Sequence, residues 1–407
     1  MNGRRVTEWR DDFVSHGYRA SNRAAVADPS LARVAPPAWY DVTWNPTAGC
    51  SPAGPGCDRC DAMRIVAQLA RIGGKGGARY AGLTTPHRSG PQWTGEVRFR
   101  EDLLAWPLTQ RKPRRILVGS LSDLFHQGLA TELVDAVHAV MRLAHWHRFL
   151  VQTRRAEWMR AYYADPQTPQ RIAAQAERLA AEILPKLGLP LDVRAGDGVA
   201  NLVSRPVARN RVAGVARAVP SGTAGGAVQP SSATIPAWPL PNLGLGVAVE
   251  DQRHAGRIGE LLQIPSALRW VCFEPLLGAV QTDRVPLGDG RYADALGGSC
   301  LDIEGLGRRP ALDVPTLPPL DWVVAGGETG AGARPTRPSW VRDLRDSCTV
   351  AGVPFFFKQW GEWGPAPGEP WDDRVVRCGR RVAGRLIDGR SWDEIPQMLR
   401  QRIRKRR

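Results

Sequence analysis

Three cysteines sit within eleven residues, in the stretch GCSPAGPGCDRC, spaced as Cys50-x6-Cys57-x2-Cys60. Glycine and proline fill the gaps, so the stretch reads as a loop on which three thiols can turn toward one point. Thiolates bind zinc, other soft metals and iron–sulfur clusters. A closed zinc site needs a fourth ligand, and the nearest histidine is His87, twenty-seven residues beyond Cys60. A redox pair of Cys57 and Cys60 would leave Cys50 without a role. The reading that uses all three is a [4Fe–4S] cluster with one open iron. Structural zinc and redox thiols are its rivals.

Further chemistry-bearing residues recur where apolar runs end. RRILVGSLSD ends at Ser122 and Asp123, NLGLGVAVED at Glu250 and Asp251, and LRWVCFEP at Glu274. DWVVAGGETG carries Gly326, Gly327 and Glu328, with Arg334 just beyond, and VPFFFKQWG ends at Lys358 and Trp360. A carboxylate in such a place can bind ribose hydroxyls, hold a cation or relay a proton. Equally, it can cap the next helix. The amides of Gly326 and Gly327 can approach a cofactor and Arg334 can bind a carboxylate or phosphate, or the run is a tight turn. Lys358, beside Trp360 and Trp363, suits an anion or a stacked base, or else snorkels from a rim. Glu274, Glu328 and Lys358 are the candidate catalytic groups. Ser122, Asp123, Glu250, Asp251, Gly326, Gly327 and Arg334 are the candidate cofactor-binding residues, and Cys50, Cys57 and Cys60 the metal ligands. Ser122, Asp123 and His126 lack the nucleophile-elbow sequence of a hydrolase. GGKGGARY lacks the Ser or Thr of a phosphate loop and reads as a mobile loop.

The elements that must position these groups follow from the same runs. Eight segments read as strands: YDVTWNP, GEVRFRED (95–102), RRILVGSLSD, HRFLVQTRR, NLGLGVAVED, LRWVCFEP, DWVVAGGETG and VPFFFKQWG. Amphipathic helices lie between many of them: DAMRIVAQLARI, TELVDAVHAVMRLA, and PSWVRDLRDSCTVAG with proline near its start and glycine at its end. Strand–helix alternation implies parallel strands joined by right-handed crossovers. The expected fold is a TIM-like α/β barrel, full or partial, with functional residues at the strands' C-terminal ends. The expected organisation is a polar arm (1–38), a first barrel part with the cysteine loop (39–164), a helix and flexible Gly/Pro/Ser-rich insertion (165–241), a second barrel part (242–396, interrupted at 284–319) and a basic tail (397–407).

The chain has 407 residues, 43% of them hydrophobic, and a net charge of +15 carried by five lysines and otherwise arginine. Such charge favours a polyanionic partner, a nucleic acid above all, or merely coats a solvated face. No apolar run reaches the ~20 residues of a membrane helix, and the N-terminus lacks a secretory h-region. Seven cysteines, an odd number, fit a reducing compartment and a metal site better than a disulfide framework. The expected location is the cytoplasm.

Seven stretches, in order from Thr43 to Pro396, carry a resemblance: TWNPTAGCSPAGPGCDRCDAMR, VGSLSDLFHQ, LGVAVEDQ, CFEPLLGAV, WVVAGGETGAGARPTRPSWVRDLRDSC, GVPFFFKQWGEWGP and LIDGRSWDEIP. They resemble the phage-associated three-Cys-motif protein family, which is similar to radical S-adenosylmethionine (SAM) enzymes. The resemblance implies an α/β barrel whose [4Fe–4S] cluster is held by Cys50, Cys57 and Cys60, with SAM on the open iron. Reductive cleavage of SAM would give a 5′-deoxyadenosyl radical that abstracts hydrogen from a substrate in the barrel mouth. It also implies an electron donor, a separately encoded partner protein and, from the family setting, a nucleic-acid or nucleotide substrate. The cysteine spacing is six then two, where radical SAM enzymes usually have three then two. Arg59 stands where an aromatic residue often precedes the third cysteine, and Asp61 where tyrosine commonly follows it. The rival of another class is a non-catalytic nucleic-acid-binding protein with structural zinc.

Overall fold

The fold is that of a computed structural model, which describes residues 39–72, 74–187, 238–288, 290–302, 309–310, 316–368 and 373–400. The expected arm (1–38), the Gly/Pro/Ser-rich run before Trp238 and the basic tail beyond Arg400 lie outside the described residues.

Seven strands form one sheet in chain order: β1 (Val42–Trp44), β2 (Arg115–Val118), β3 (Arg148–Thr153), β4 (Leu243–Ala248), β5 (Leu268–Phe273), β6 (Trp322–Ala325) and β7 (Phe355–Phe357). Every neighbouring pair is parallel. The main helices are α1 (Asp61–Ile72), α2 (Thr131–Leu143), α3 (Ala156–Ala164), α4 (Thr168–Ile183), α5 (Gly256–Leu262) and α6 (Pro338–Ala351). Each connection steps to the next strand, and α2 to α6 share the core on one face of the sheet, while α1 packs in a separate cluster with Leu83 and Leu121. The sheet accordingly curls as a half-barrel.

Both faces of the sheet are buried, which is why its strands read as apolar runs rather than alternations. Phe149, Val151, Val271, Phe273, Val323, Phe355 and Phe357 point into the helix-side core. Their neighbours Leu150, Trp270, Cys272, Trp322, Val324 and Phe356 form a second core on the other face. Trp39 covers that core, with ring centroids 5.3 Å from Trp270 and 6.0 Å from Trp322. Ile395, Met398 and Leu399 pack there too. The segment before them runs antiparallel along the outer edge of β7: Phe357 N donates to Trp392 O, and Glu394 N to Phe355 O. Among the described residues no strand joins β7 to β1.

Two local expectations are corrected. Residues 95–102 do not add an eighth strand to the sheet; only Arg98–Phe99 is extended, paired antiparallel with Thr47–Ala48. The apolar alternation there ends at once in a short helix, Glu101–Leu104, leaving no length for a sheet strand. GGKGGARY is not a loop throughout, since Gly74–Ala78 is a short helix. The stretch 284–319 contains a small antiparallel sheet built from Val285–Pro286, Tyr292–Ala293, Cys300–Asp302 and Arg309–Pro310. α6 starts at Pro338 and stops at Gly352, whose φ of 68° suits glycine at a helix end.

Candidate metal centre

The cysteine loop leaves β1 and reaches α1 across the rim where the parallel strands end. Pro55–Cys57 forms a single 3-10 turn, and Cys60 immediately precedes α1. Each sulfur faces an N–H group. Arg155 Nη1 lies 3.6 Å from Cys50 Sγ. The Ala53 amide donates to Cys57 Sγ at 3.4 Å. The amides of Met63 and Ala62, in the first turn of α1, favour the Cys60 thiolate, and the Met63 amide donates to the Cys60 carbonyl at 3.2 Å. Burial opposes them: it pushes the Cys50 thiol up to about 12, with Asp123 adding to the rise and Arg155 countering it. Burial also raises Cys60, against the pull of Arg154. Among the described residues, no group of three or more His, Cys, Asp or Glu side chains could hold a metal ion.

Two successive arginines at the end of β3 bring positive charge to this loop. Arg154 Nε donates to Glu250 Oε1 at 2.6 Å, and Arg257 Nη1 to Glu250 Oε2 at 2.8 Å. Arg257 also donates to the Ala53 carbonyl of the cysteine loop at 2.6 Å. Glu250 has no exposed surface, so it acts as a buried anchor between two cations. The loop lies directly on this anchor. A Cβ on Gly56 would meet Glu250 Oε1 at 2.5 Å, and one on Gly54 would meet Arg257 Nη2 at 2.7 Å. Arg155 bonds Asp123 at 3.0 Å and takes both the carbonyl and the hydroxyl of Ser51 at 2.8 Å.

Asp123 also accepts from Thr153 Oγ1 and from the amides of Phe125 and Arg154. Its role is to orient Arg155, and neither oxygen bonds His126. His126 Nδ1 accepts from the Gly128 amide at 3.0 Å, which places its proton on Nε2, facing Ser51 Oγ at 2.8 Å. So protonated, it cannot take a proton from Ser51. Ser122 bonds Thr47 instead, so no hydrolytic triad forms.

A second clamp comes from the loop after β6. Glu328, 5% exposed, accepts from Arg334 Nη2 at 2.6 Å and Nε at 3.0 Å. Arg334 reaches on to the Pro55 carbonyl at 2.7 Å and to Asp58 at 3.2 Å. Arg59 donates to the Gly332 carbonyl, and Asp61 accepts from Thr329 Oγ1 at 2.9 Å. Arg59 and Asp61, the two positions that depart from the residues expected around the third cysteine, thus fasten the cysteine loop to the β6 end.

Glu274 and Lys358, at the ends of β5 and β7, form an ion pair across β6. Gly326 lies between them, where a Cβ would stand 3.1 Å from Glu274 Oε1 and 3.4 Å from Lys358 Cβ. Gln359 Nε2 also donates to Glu274, at 3.3 Å. Burial lowers the Lys358 pKa, but Glu274 and Cys272 outweigh it, so the lysine stays charged. Its ring neighbour is Trp39, 5.3 Å from Nζ to the centroid. The expected pairing with Trp360 and Trp363 does not form; their indoles donate to Leu386 and Ala333 carbonyls. The amides of Gly326 and Gly327 bond Phe273 O and Gln359 O, so neither faces a cofactor. Asp251 caps the turn Gln252–His254 and pairs with Arg253 and His254.

The structure thus gathers the cysteines with Asp123, Glu250, Glu328 and Arg334, sets Glu274 and Lys358 nearby through Arg154 Nη2 on Glu274 O at 3.4 Å, and gives Ser122 and Asp251 local roles. Sequence reasoning missed Arg154, Arg155, Arg257 and Ser51. The only signal for the first two was that HRFLVQTRR ends in basic residues.

Residues 36–396 match a family described as a protein of unknown function (DUF5131), and the chain belongs to that family. No curated protein and no solved structure matches the chain.

Proposed function

We propose that Cys50, Cys57 and Cys60 hold a [4Fe–4S] cluster and that the chain is a radical-SAM-type enzyme. The observation that carries this reading is the build of the cysteine loop: three thiols, each facing an N–H donor, on the rim where parallel strands end. N–H groups aimed at sulfur, local charge and burial are what stabilise and tune a thiolate-held cluster. Zinc would draw all its ligands to one centre, with Zn–S about 2.3 Å. A [4Fe–4S] cluster with one open iron would use all three cysteines of the loop without a fourth protein ligand.

With SAM at its open iron, the group would supply one-electron cleavage of a sulfonium carbon–sulfur bond and hydrogen-atom abstraction. The chain's own residues do the positioning. Arg154 and Arg155 bring cationic charge beside the thiolates, and Glu250 and Asp123 fix those arginines. Glu328 and Arg334 hold the far side of the loop. Glu274 and Lys358 keep 22% of each side chain exposed and are the groups left to meet a substrate. Lys358 and Gln359 donate, Glu274 accepts, and the pair has no net charge, so it suits a hydrogen-bonding group better than a bare anion. A nucleic-acid or nucleotide substrate is supported by the net charge of +15. An electron donor and a separately encoded partner protein belong to the same reading, as does a cytoplasmic location; no described helix is long and apolar enough to cross a membrane. The finer architecture we infer is a partial TIM-like barrel, flanked at β7 by the C-terminal segment instead of an eighth strand.

Anaerobic reconstitution tests the reading. Iron and sulfide near four per chain, a brown protein, and 5′-deoxyadenosine released on adding SAM and dithionite are expected. About one zinc per colourless chain would favour the structural-zinc protein, and a reducible cluster that leaves SAM intact would remove the radical chemistry.

A further inference from the structure

We propose that Arg155 is a positioning residue that raises the reduction potential of the cluster through Cys50, an inference that rests on the cluster reading above. Of the three sulfurs, Cys57 and Cys60 face neutral backbone amides, whereas Cys50 faces a guanidinium. Arg155 cannot turn away from it. Its side chain is 7% exposed, and three further contacts fix both ends of the guanidinium: Nη1 bonds Asp123 at 3.0 Å, and Nη2 bonds Ser51 O and Ser51 Oγ at 2.8 Å; the backbone amide bonds Thr153 Oγ1. Ser51 is itself braced by His126.

Arg155 is paired with Asp123, whose charge acts on Cys50 in the opposite sense, so removing the guanidinium would leave that carboxylate uncompensated beside the sulfur. Asp123 shares its two oxygens among Thr153 and the amides of Phe125 and Arg154 as well. Arg154 also acts on Cys57 and Cys60 through its charge, and shares Glu250 with Arg257, but among the described contacts it places no N–H on either sulfur. A cation and an N–H donor beside a ligating sulfur stabilise the reduced, more negative cluster over the oxidised one. The donor that differs from the other two should therefore govern how easily the cluster accepts its electron.

The test is a dye-mediated redox titration of the reconstituted full chain, followed by electron paramagnetic resonance, for the wild type, Arg155→Met, Arg155→Lys and Ser51→Ala. Arg155→Met is expected to lower the reduced-to-oxidised ratio at fixed potential at least tenfold, about 59 mV for a one-electron couple. Arg155→Lys should fall between, and Ser51→Ala, which leaves the Cys50 contact in place, should shift least. Loss of the cluster in Arg155→Met with a shifted cluster in Arg155→Lys also supports the proposal. A wild-type midpoint and line shape in Arg155→Met would overturn it. So would equal loss of the cluster from both Arg155 variants, which would make the residue a brace only. Failure of the wild type to load iron and sulfide is a separate outcome and would remove the cluster reading itself.

Discussion

Arg334 donates to the carbonyl oxygen of Pro55 at 2.7 Å, joining two points 279 positions apart in the chain. The same guanidinium grips Glu328, so it ties the loop after β6 to the cysteine loop. Arg334→Ala is expected to release the cysteine loop and to leave the buried Glu328 without its cation. Breaking a buried pair costs roughly 3–5 kcal/mol; Arg334 keeps 30% of its side chain in water, so about 1–2 kcal/mol is expected. Hydrogen exchange across residues 50–61 reads the effect, and unchanged protection there would show that the clamp holds nothing.

Gly56→Ala should lower stability by about 1–3 kcal/mol and impair iron loading, because the new methyl would enter the Glu250–Arg154 pair. Gly76→Ala is the control. Its Cβ has open space, it lies in a helix, and the substitution should be neutral or slightly stabilising. Urea melts of both variants, with iron content, make the comparison.

Cys50→Ala, Cys57→Ala and Cys60→Ala are each expected to abolish cluster binding, while Cys272→Ala and Cys378→Ala keep it. Cys272 is 1% exposed in the core opposite the helices, so its variant should lose stability without losing iron. Iron, sulfide and visible absorption distinguish the two groups. A full cluster in any of the first three would break the ligand assignment.

Acid should destabilise the fold through His138. Burial pulls its pKa down to about 4, from 6.5, and its ring is held between the Val134 carbonyl and Tyr163 OH at 2.8 and 2.7 Å. Below pH 6.5 the unfolded chain takes up a proton that the folded one refuses until about pH 4. Stability is thus full above pH 6.5 and falls as pH drops across that window, by about 3 kcal/mol at most. His138→Gln should flatten this limb in melts from pH 7 to 4, whatever its overall stability. A limb as steep as the wild type's would assign the loss to other groups.

The parallel α/β sheet was legible because each strand is an apolar run closed by polar residues, and seven of the eight runs so read became its strands. GEVRFRED misled because alternation over a few residues looks the same in a two-residue edge pairing as in a sheet strand. The strand-end carboxylates were visible one by one, but their partners were not. Arg154, Arg155 and Arg257 are three of fifty arginines, and no local spacing separates a guanidinium that grips Glu250 from one that faces water. Arg59 and Asp61 read as departures from a motif, since their contacts at Gly332 and Thr329 lie some 270 positions on. Periodicity reports on neighbours along the chain, whereas this site is made of contacts between its distant parts.

The segment from Trp392 to Leu399 both lines the edge of β7 and completes the aromatic core with Trp39, Trp270 and Trp322. Among the described residues it is synthesised last. During translation, a sheet already seven strands wide would therefore present the outer edge of β7 uncovered, beside a wall of tryptophans, until these eight residues emerge. Exposed apolar surface beside an unpaired strand is a template for aggregation. A chain stopped near residue 390 would keep every cysteine and every charged group of the rim, yet its vulnerability would lie in solubility during biosynthesis.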